Sequence, residues 1–123
     1  FGLFRAVQLA GIEALTGPQE YVRHTVDTYH RRMKLFVDGL NDLGWPTPMP
    51  KATFYVWAHI PMKYSALTSL EFATLMLQEG GVAAAPGTGF GEYGEGYVRF
   101  AMVQSEDRLK QALKRIGHVL TMG

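Results

Sequence analysis

The run Tyr97-Val98-Arg99-Phe100-Ala101-Met102-Val103 carries one charge among apolar residues. It reads as a strand, and strand alternation puts Tyr97, Arg99 and Ala101 on one face and Val98, Phe100 and Met102 on the other. The second set makes the core face, so Arg99 leaves the middle of the sheet on the opposite side. A guanidinium offers its donors in a planar fork that matches a carboxylate with two parallel hydrogen bonds. Arg99 is therefore the candidate substrate-binding residue, holding the carboxylate of a small ligand. An internal salt bridge to a glutamate and simple exposure stay open on spacing alone.

Other chemistry-bearing patterns are weaker. Gly89-Phe90-Gly91-Glu92-Tyr93-Gly94 matches G-x-G-x-x-G and follows an expected strand. A phosphate site needs the third glycine to open a helix whose amides face the pyrophosphate. Here the chain runs into the strand at Tyr97, and no acidic residue stands at the ribose-binding distance. The glycines read instead as a loop that needs positive φ at several positions. His24 and His30 lie six apart on one helix, which does not give metal-ligand spacing, and the histidines are otherwise scattered. Glu92 and Glu95 flank the loop, either as acid or base groups or as a solvated rim.

The elements that must position Arg99 follow from periodicity. Leu3 to Leu15 is helical, with apolar residues almost all the way round, so this helix expects cover on every side. A small domain cannot supply that alone, and a piece cut from its surroundings is expected to self-associate through it. Thr16-Gly17-Pro18 stops it, with Pro18 suited to the first turn of the next helix. That helix runs from about Pro18 to Leu43 and is closed by Gly44. Its stripe is Val22, Val26, Tyr29, Met33, Phe36, Val37, Leu40 and Leu43. Trp45 to Pro50 is a stiff, proline-rich connector. A strand is expected over 52–60, then a helix from Thr68-Ser69-Leu70-Glu71, a capping box, to Glu79 before Gly80-Gly81. Val82 to Pro86 is a short second strand, Gly87 to Gly96 the loop, and Tyr97 to Val103 the third strand. Ser105 caps a last helix with Leu109, Ala112, Leu113, Ile116, Val119 and Leu120 inward. The fold class is α+β: a small antiparallel or mixed sheet of about three strands, covered on one face by helices and preceded by a long helix.

Composition narrows the rest. The 123 residues suffice for one domain with a modest core. A net charge of +1 gives no field to attract nucleic acid or an anionic membrane. No apolar run reaches the roughly 20 residues that span a bilayer. The absence of cysteine rules out disulfides, thiolate metal sites and cysteine nucleophiles. It fits a reducing compartment, and the cytoplasm is the expected location. The opening Phe1-Gly2-Leu3-Phe4-Arg5 has no signal-peptide pattern and no initiator methionine, so a piece of a longer protein is expected.

Pro86-Gly87-Thr88-Gly89-Phe90-Gly91 followed by Gly94-Glu95-Gly96-Tyr97-Val98-Arg99 resembles the C-terminal signature of class I/II, fold type I, pyridoxal-phosphate-dependent aminotransferases. Phe4 to Ala10, Lys51 to Trp57 and the Leu109–Ile116 helix resemble the same family, in the expected order. The nearest flavour is the branch of LL-diaminopimelate, alanine and aspartate aminotransferases. The resemblance implies a small domain over 17–123, including the long linking helix, and the end of a large cofactor-binding domain over 1–16. It implies that Arg99 pairs with the α-carboxylate of amino-acid and 2-oxo-acid substrates, and that 51–54 lies near the substrate. The parent would be a cytoplasmic homodimer that uses pyridoxal 5'-phosphate.

One departure matters. The family's Schiff-base lysine lies in a serine-lysine stretch upstream, and Lys34, Lys51, Lys63, Lys110 and Lys114 all stand in other contexts. The segment alone is thus expected to bind no cofactor and to catalyse nothing. Two alternatives remain: another enzyme of the superfamily (decarboxylase, lyase or synthase), or a stand-alone module that binds a carboxylate or a protein.

Overall fold

The computed structural model describes residues 2–122; the outermost positions of the two expected segments, Phe1 and Gly123, lie outside the described residues. Four α-helices and one three-stranded sheet occur among them: α1 (Arg5–Thr16), α2 (Glu20–Asp42), β1 (Tyr55–His59), α3 (Ser69–Gly80), β2 (Ala85–Pro86), β3 (Tyr97–Ala101) and α4 (Glu106–Thr121). The strand order is β1-β3-β2, and both pairings are antiparallel. The expected α+β class holds, with the sheet antiparallel rather than mixed.

The strand that carries Arg99 is central. Arg99 pairs with Trp57 of β1 on one side and Ala85 of β2 on the other. Val56, Ala58, Val98, Phe100 and Met102 face inward and are fully or almost fully buried. The helices close over them with Met33, Phe36, Val37 and Leu40 of α2, Phe72 and Met76 of α3, and Leu109, Ile116 and Val119 of α4. Alternation thus fixes which face Arg99 occupies, because a register shift would turn the whole apolar set into solvent.

Helix ends follow their local chemistry. Thr68 accepts from the Glu71 backbone N–H, and the Glu71 carboxylate accepts from the Thr68 backbone N–H, completing the capping box. Gly81 takes a left-handed conformation, and the Gly81 and Val82 amides return to the Leu77 and Met76 carbonyls. Ser105 caps α4 by accepting from Arg108 N–H. Gly44, at φ +76°, lets the chain leave α2, as its position after the helix implies.

Several boundaries move. Pro18 is not in the first turn of α2: Gln19 is its N-cap and Glu20 its first helical residue. The first strand begins at Tyr55 rather than Ala52, since Thr53 turns through φ +72° and breaks the extended run. Only Ala85–Pro86 of the expected 82–86 strand pairs with β3. The glycine-rich loop folds into two short 3-10 turns, Gly87–Phe90 and Glu92–Gly94.

Trp45 is the largest side chain fully inside the core. Its indole N–H donates to the His59 carbonyl at 2.6 Å, and its ring meets Phe72 and Phe100 edge-on. The connector is then clamped to α2: the Asn41 amide donates to Thr47 O and accepts from Thr47 N–H. In contrast, α1 contributes no buried residue. Leu3, Phe4, Val7, Leu9, Ile12 and Leu15 are all more than half exposed, and Tyr21 and Val26 continue this along the start of α2. The α2 stripe expected from periodicity is therefore buried only from Met33 to Leu40, and Leu43 at its end is exposed.

Candidate functional site

Arg99 emerges from the middle of β3 on the face away from the helices and is half-buried. It lines an open cavity of about 580 Å³ whose floor includes Tyr55, Trp57 and Tyr97 and whose rim includes Met49 and Pro50. The floor follows from pairing. β1 and β3 are antiparallel with Trp57 opposite Arg99 and His59 opposite Tyr97, so alternate residues of both strands share one face. The rim follows from the Asn41–Thr47 clamp, which sets where Pro48 to Pro50 cross above the sheet.

The guanidinium carbon lies 4.0 Å from the centre of the Tyr55 ring and 4.0 Å from the centre of the Phe90 ring. Phe90 is held in turn by Trp57, at 5.6 Å edge to face, and Trp57 stacks on Tyr97 at 5.9 Å. Among the described residues no carboxylate comes within ion-pair distance of Arg99, and none accepts a hydrogen bond from it. The glutamate salt bridge that spacing left open does not form. Arg99 is oriented by aromatic faces and keeps its in-plane donors uncommitted. Such an arrangement can do one thing well: receive a planar anion from the open side.

Thr53, at the cavity wall, is the one non-glycine residue at positive φ among the described residues. Its hydroxyl accepts from the Tyr55 backbone N–H at 3.1 Å. A β-branched side chain is unfavourable in that region, so the turn stores strain where the chain enters β1.

The remaining candidates sort cleanly. Glu95 serves the fold: its carboxylate accepts from Ser69 N–H at 2.7 Å, Ser69 Oγ–H at 3.1 Å and Gly96 N–H at 3.1 Å. These bonds, first that of the Ser69 backbone and then that of Gly96, hold its carboxyl below the ordinary carboxylate value. Glu92 is exposed in the second 3-10 turn. His24, His30 and His118 are exposed on helices, while His59 stands at the edge of the Arg99 cavity, with Nδ1 2.8 Å from Ile60 O. No cluster of three metal-binding side chains occurs among the described residues.

The glycine-rich segment makes no phosphate cradle, because Gly94 leads through Gly96 to β3 and not to a helix. Two of its glycines, Gly91 at φ +118° and Gly96 at φ +80°, answer the expected need for positive φ. Gly87 and Gly94 serve a different need: their backbones approach so closely that a Cβ on either would collide with the other's carbonyl. The fold thereby turns the loop back and delivers Phe90 over the sheet. Residue type and spacing single out neither Phe90 nor Tyr55. Tyr55 is accessible in principle, since it alternates with Trp57 and His59, but only the strand register brings it to Arg99.

These observations define an α+β unit in which a half-buried arginine without an ion-pair partner among the described residues stands on the open face of a helix-backed antiparallel sheet. Residues 1–116 match the family model described as aminotransferase class I and II, and the chain belongs to that family. It is 48% identical over 115 residues to LL-diaminopimelate aminotransferase of Halothermothrix orenii, covering 94% of this chain and 29% of that protein. It is 47% identical over 116 residues to the glutamate-pyruvate aminotransferase AlaC of Escherichia coli, covering 94% and 28%. The structure of the aromatic aminotransferase from Pyrococcus horikoshii superposes with a TM-score of 0.83 at 39% identity, covering 93% of this chain and 31% of that one. The chain spans less than a third of the length of these relatives.

Proposed function

We propose that the full-length protein is a pyridoxal-phosphate-dependent aminotransferase that moves an amino group between an amino acid and a 2-oxo acid. This chain supplies the arm that grips the substrate. The observation that carries this reading is the uncommitted guanidinium of Arg99, oriented by two rings at an open cavity, in a chain of this family. Arg99 takes the α-carboxylate in a bidentate pair and so fixes where the Cα–H bond lies relative to the rest of the active site. Residues 17–123 make up the small domain with its linking helix, and 1–16 belong to the large domain.

When bound, pyridoxal phosphate supplies the electron sink for such a transfer. The residues around Arg99 do not make a site for it: besides Arg99 that cavity is lined by Tyr55, Trp57, Tyr97, His59, Thr53, Met49 and two prolines, and among the described residues no lysine lines it. Lys34 pairs with Asp38, and Lys63 donates to the Leu120 and Met122 carbonyls, away from Arg99. On this reading the cofactor-bearing lysine and the groups that hold the phosphate are supplied by the rest of the protein, and the segment by itself is proposed to be inactive. The intact protein is proposed to act as a homodimer in the cytoplasm. Among the described residues no helix is long and apolar enough to cross a membrane.

The test is Arg99→Ala in the full-length protein, assayed with glutamate and a panel of 2-oxo acids. Losing a charged bidentate contact should lower kcat/KM by about a hundredfold or more. Near-normal kinetics for the variant would remove Arg99 from the site. Release of carbon dioxide in place of amino transfer by the unaltered protein would move it to another activity of the superfamily.

A further inference from the structure

We infer that Tyr55 and Phe90 form a slot around Arg99 that selects planar carboxylates over tetrahedral oxyanions such as sulfonates. The inference rests on the reading of Arg99 as the carboxylate-binding residue and adds what sets its selectivity.

Both ring centres stand 4.0 Å from the same guanidinium carbon, which is face contact in each case. Two rings on one side of that carbon would have to touch one another. Instead Phe90 packs on Trp57 and Tyr55 on Phe54, with no Tyr55–Phe90 ring contact among the described residues. The two ring faces are therefore set well apart around the guanidinium, and the inferred slot is the arrangement in which its plane lies between them. Its N–H groups all lie in that plane, so its only free approach is along the edge.

A carboxylate matches this approach. Its two oxygens lie in the plane of the fork and meet two parallel donors. A sulfonate also places two oxygens on the fork, but its third must stand out of the plane, toward Tyr55 or Phe90. There it loses hydration against an aromatic surface and gains no donor, an unfavourable exchange for an anionic oxygen. An unflanked arginine would tilt or leave that oxygen in water. Phe90 is half exposed on its loop, so it can be trimmed without opening the core.

The experiment uses a charge-matched pair, propionate and ethanesulfonate, as competitive inhibitors of the full-length enzyme against its amino-acid substrate. Ligand-observed NMR titration supplies an equilibrium readout alongside the kinetics. The unaltered enzyme should favour propionate by about tenfold or more, the cost of one stranded anionic oxygen. In Phe90→Ala, propionate binding should weaken by about three- to tenfold as one ring contact is lost, while the preference falls to about threefold or less. Phe90→Leu keeps an apolar wall and should retain most of the preference. An unaltered enzyme that binds both anions equally would overturn the slot, as would a Phe90→Ala enzyme that keeps the full preference. Arg99→Ala separates the two readings. If it leaves propionate binding intact, the arginine itself is misassigned; if it abolishes binding while Phe90→Ala keeps the preference, Arg99 stands and the slot falls.

Discussion

The Glu95 carboxylate accepts the Ser69 backbone N–H at 2.7 Å, tying the loop that delivers Phe90 to the first turn of α3. Glu95 follows the second 3-10 turn of that loop, and the same carboxylate takes the Gly96 amide. The helix start and the loop end are thus held by one charged group, close to the positive end of the helix dipole.

This tie makes a pH prediction. Glu95 is held below its ordinary value by the hydrogen bonds of Ser69 and Gly96, and Glu71 by those of Thr68. A carboxyl depressed in the folded state contributes stability that is complete above its unfolded value, ordinarily about 4.5. That contribution is lost as pH falls through the lower folded value. Thermal melts of the full-length protein should show Tm falling below about pH 5, and Glu95→Gln should flatten part of that fall while lowering Tm at neutral pH. A Glu95→Gln protein with the same acid profile as the parent would show that the tie is not formed.

The fork geometry at Arg99 makes a second. Arg99→Lys keeps a positive charge but loses both the planar edge and most of the stacking on Tyr55 and Phe90. Its kcat/KM should stay closer to that of Arg99→Ala than to that of the unaltered enzyme. A lysine that restores most of the activity would mean that charge alone binds the substrate.

Where Arg99 lies in the fold is legible in the residues alone. One charge in an apolar strand, with alternation to set its face, is enough to single out Arg99. The Thr68-Ser69-Leu70-Glu71 box and Gly44 mark helix ends correctly, because those signals act over three or four residues. What alternation does not supply is the register that sets Trp57 opposite Arg99 and Tyr55 against its guanidinium. Phe90 carries no signal, since its position depends on Gly87 and Gly94 closing a loop by backbone contact. Trp45 sits in a stretch that reads as a connector, and its burial depends on helices and strands from three parts of the chain.

Trp45 supplies the third prediction. Trp45→Ala removes a fully buried ring and should cost about 3–5 kcal/mol of stability. Trp45→Phe should cost less, with about 1–2 kcal/mol arising from the His59 carbonyl left without its donor. Denaturant melts with fitted midpoints give both values. A Trp45→Phe loss as large as that of alanine would place the weight on the hydrogen bond instead of the packing.

Thr53 gives a prediction of opposite sign. At φ +72° a threonine is strained, whereas asparagine tolerates this region and its side-chain oxygen can still accept from Tyr55 N–H. Thr53→Asn should therefore stabilise the protein by up to about 1 kcal/mol. Thr53→Val keeps the strain and loses the acceptor, so it should destabilise. Equal Tm values for the two variants would mean that the turn relaxes without cost.

The last prediction concerns the apolar surface that α1 leaves open. Leu9, Ile12 and Leu15 are more than half exposed, and α1 adds no buried residue to the core. Apolar side chains on every side of a helix gain only when something covers them, and a contiguous patch of this kind drives association. Expressed alone, residues 1–123 should therefore self-associate, with sedimentation velocity showing a concentration-dependent rise in mass. Removing residues 1–16, or placing lysines at Leu9 and Ile12, should shift the population toward monomer. Neither change touches Met33, Phe36 or Leu40, so the sheet and its covering helices should keep their cooperative melt. A clean monomer over a wide concentration range would mean that α1 folds back onto Tyr21 and Val26 in solution, covering itself.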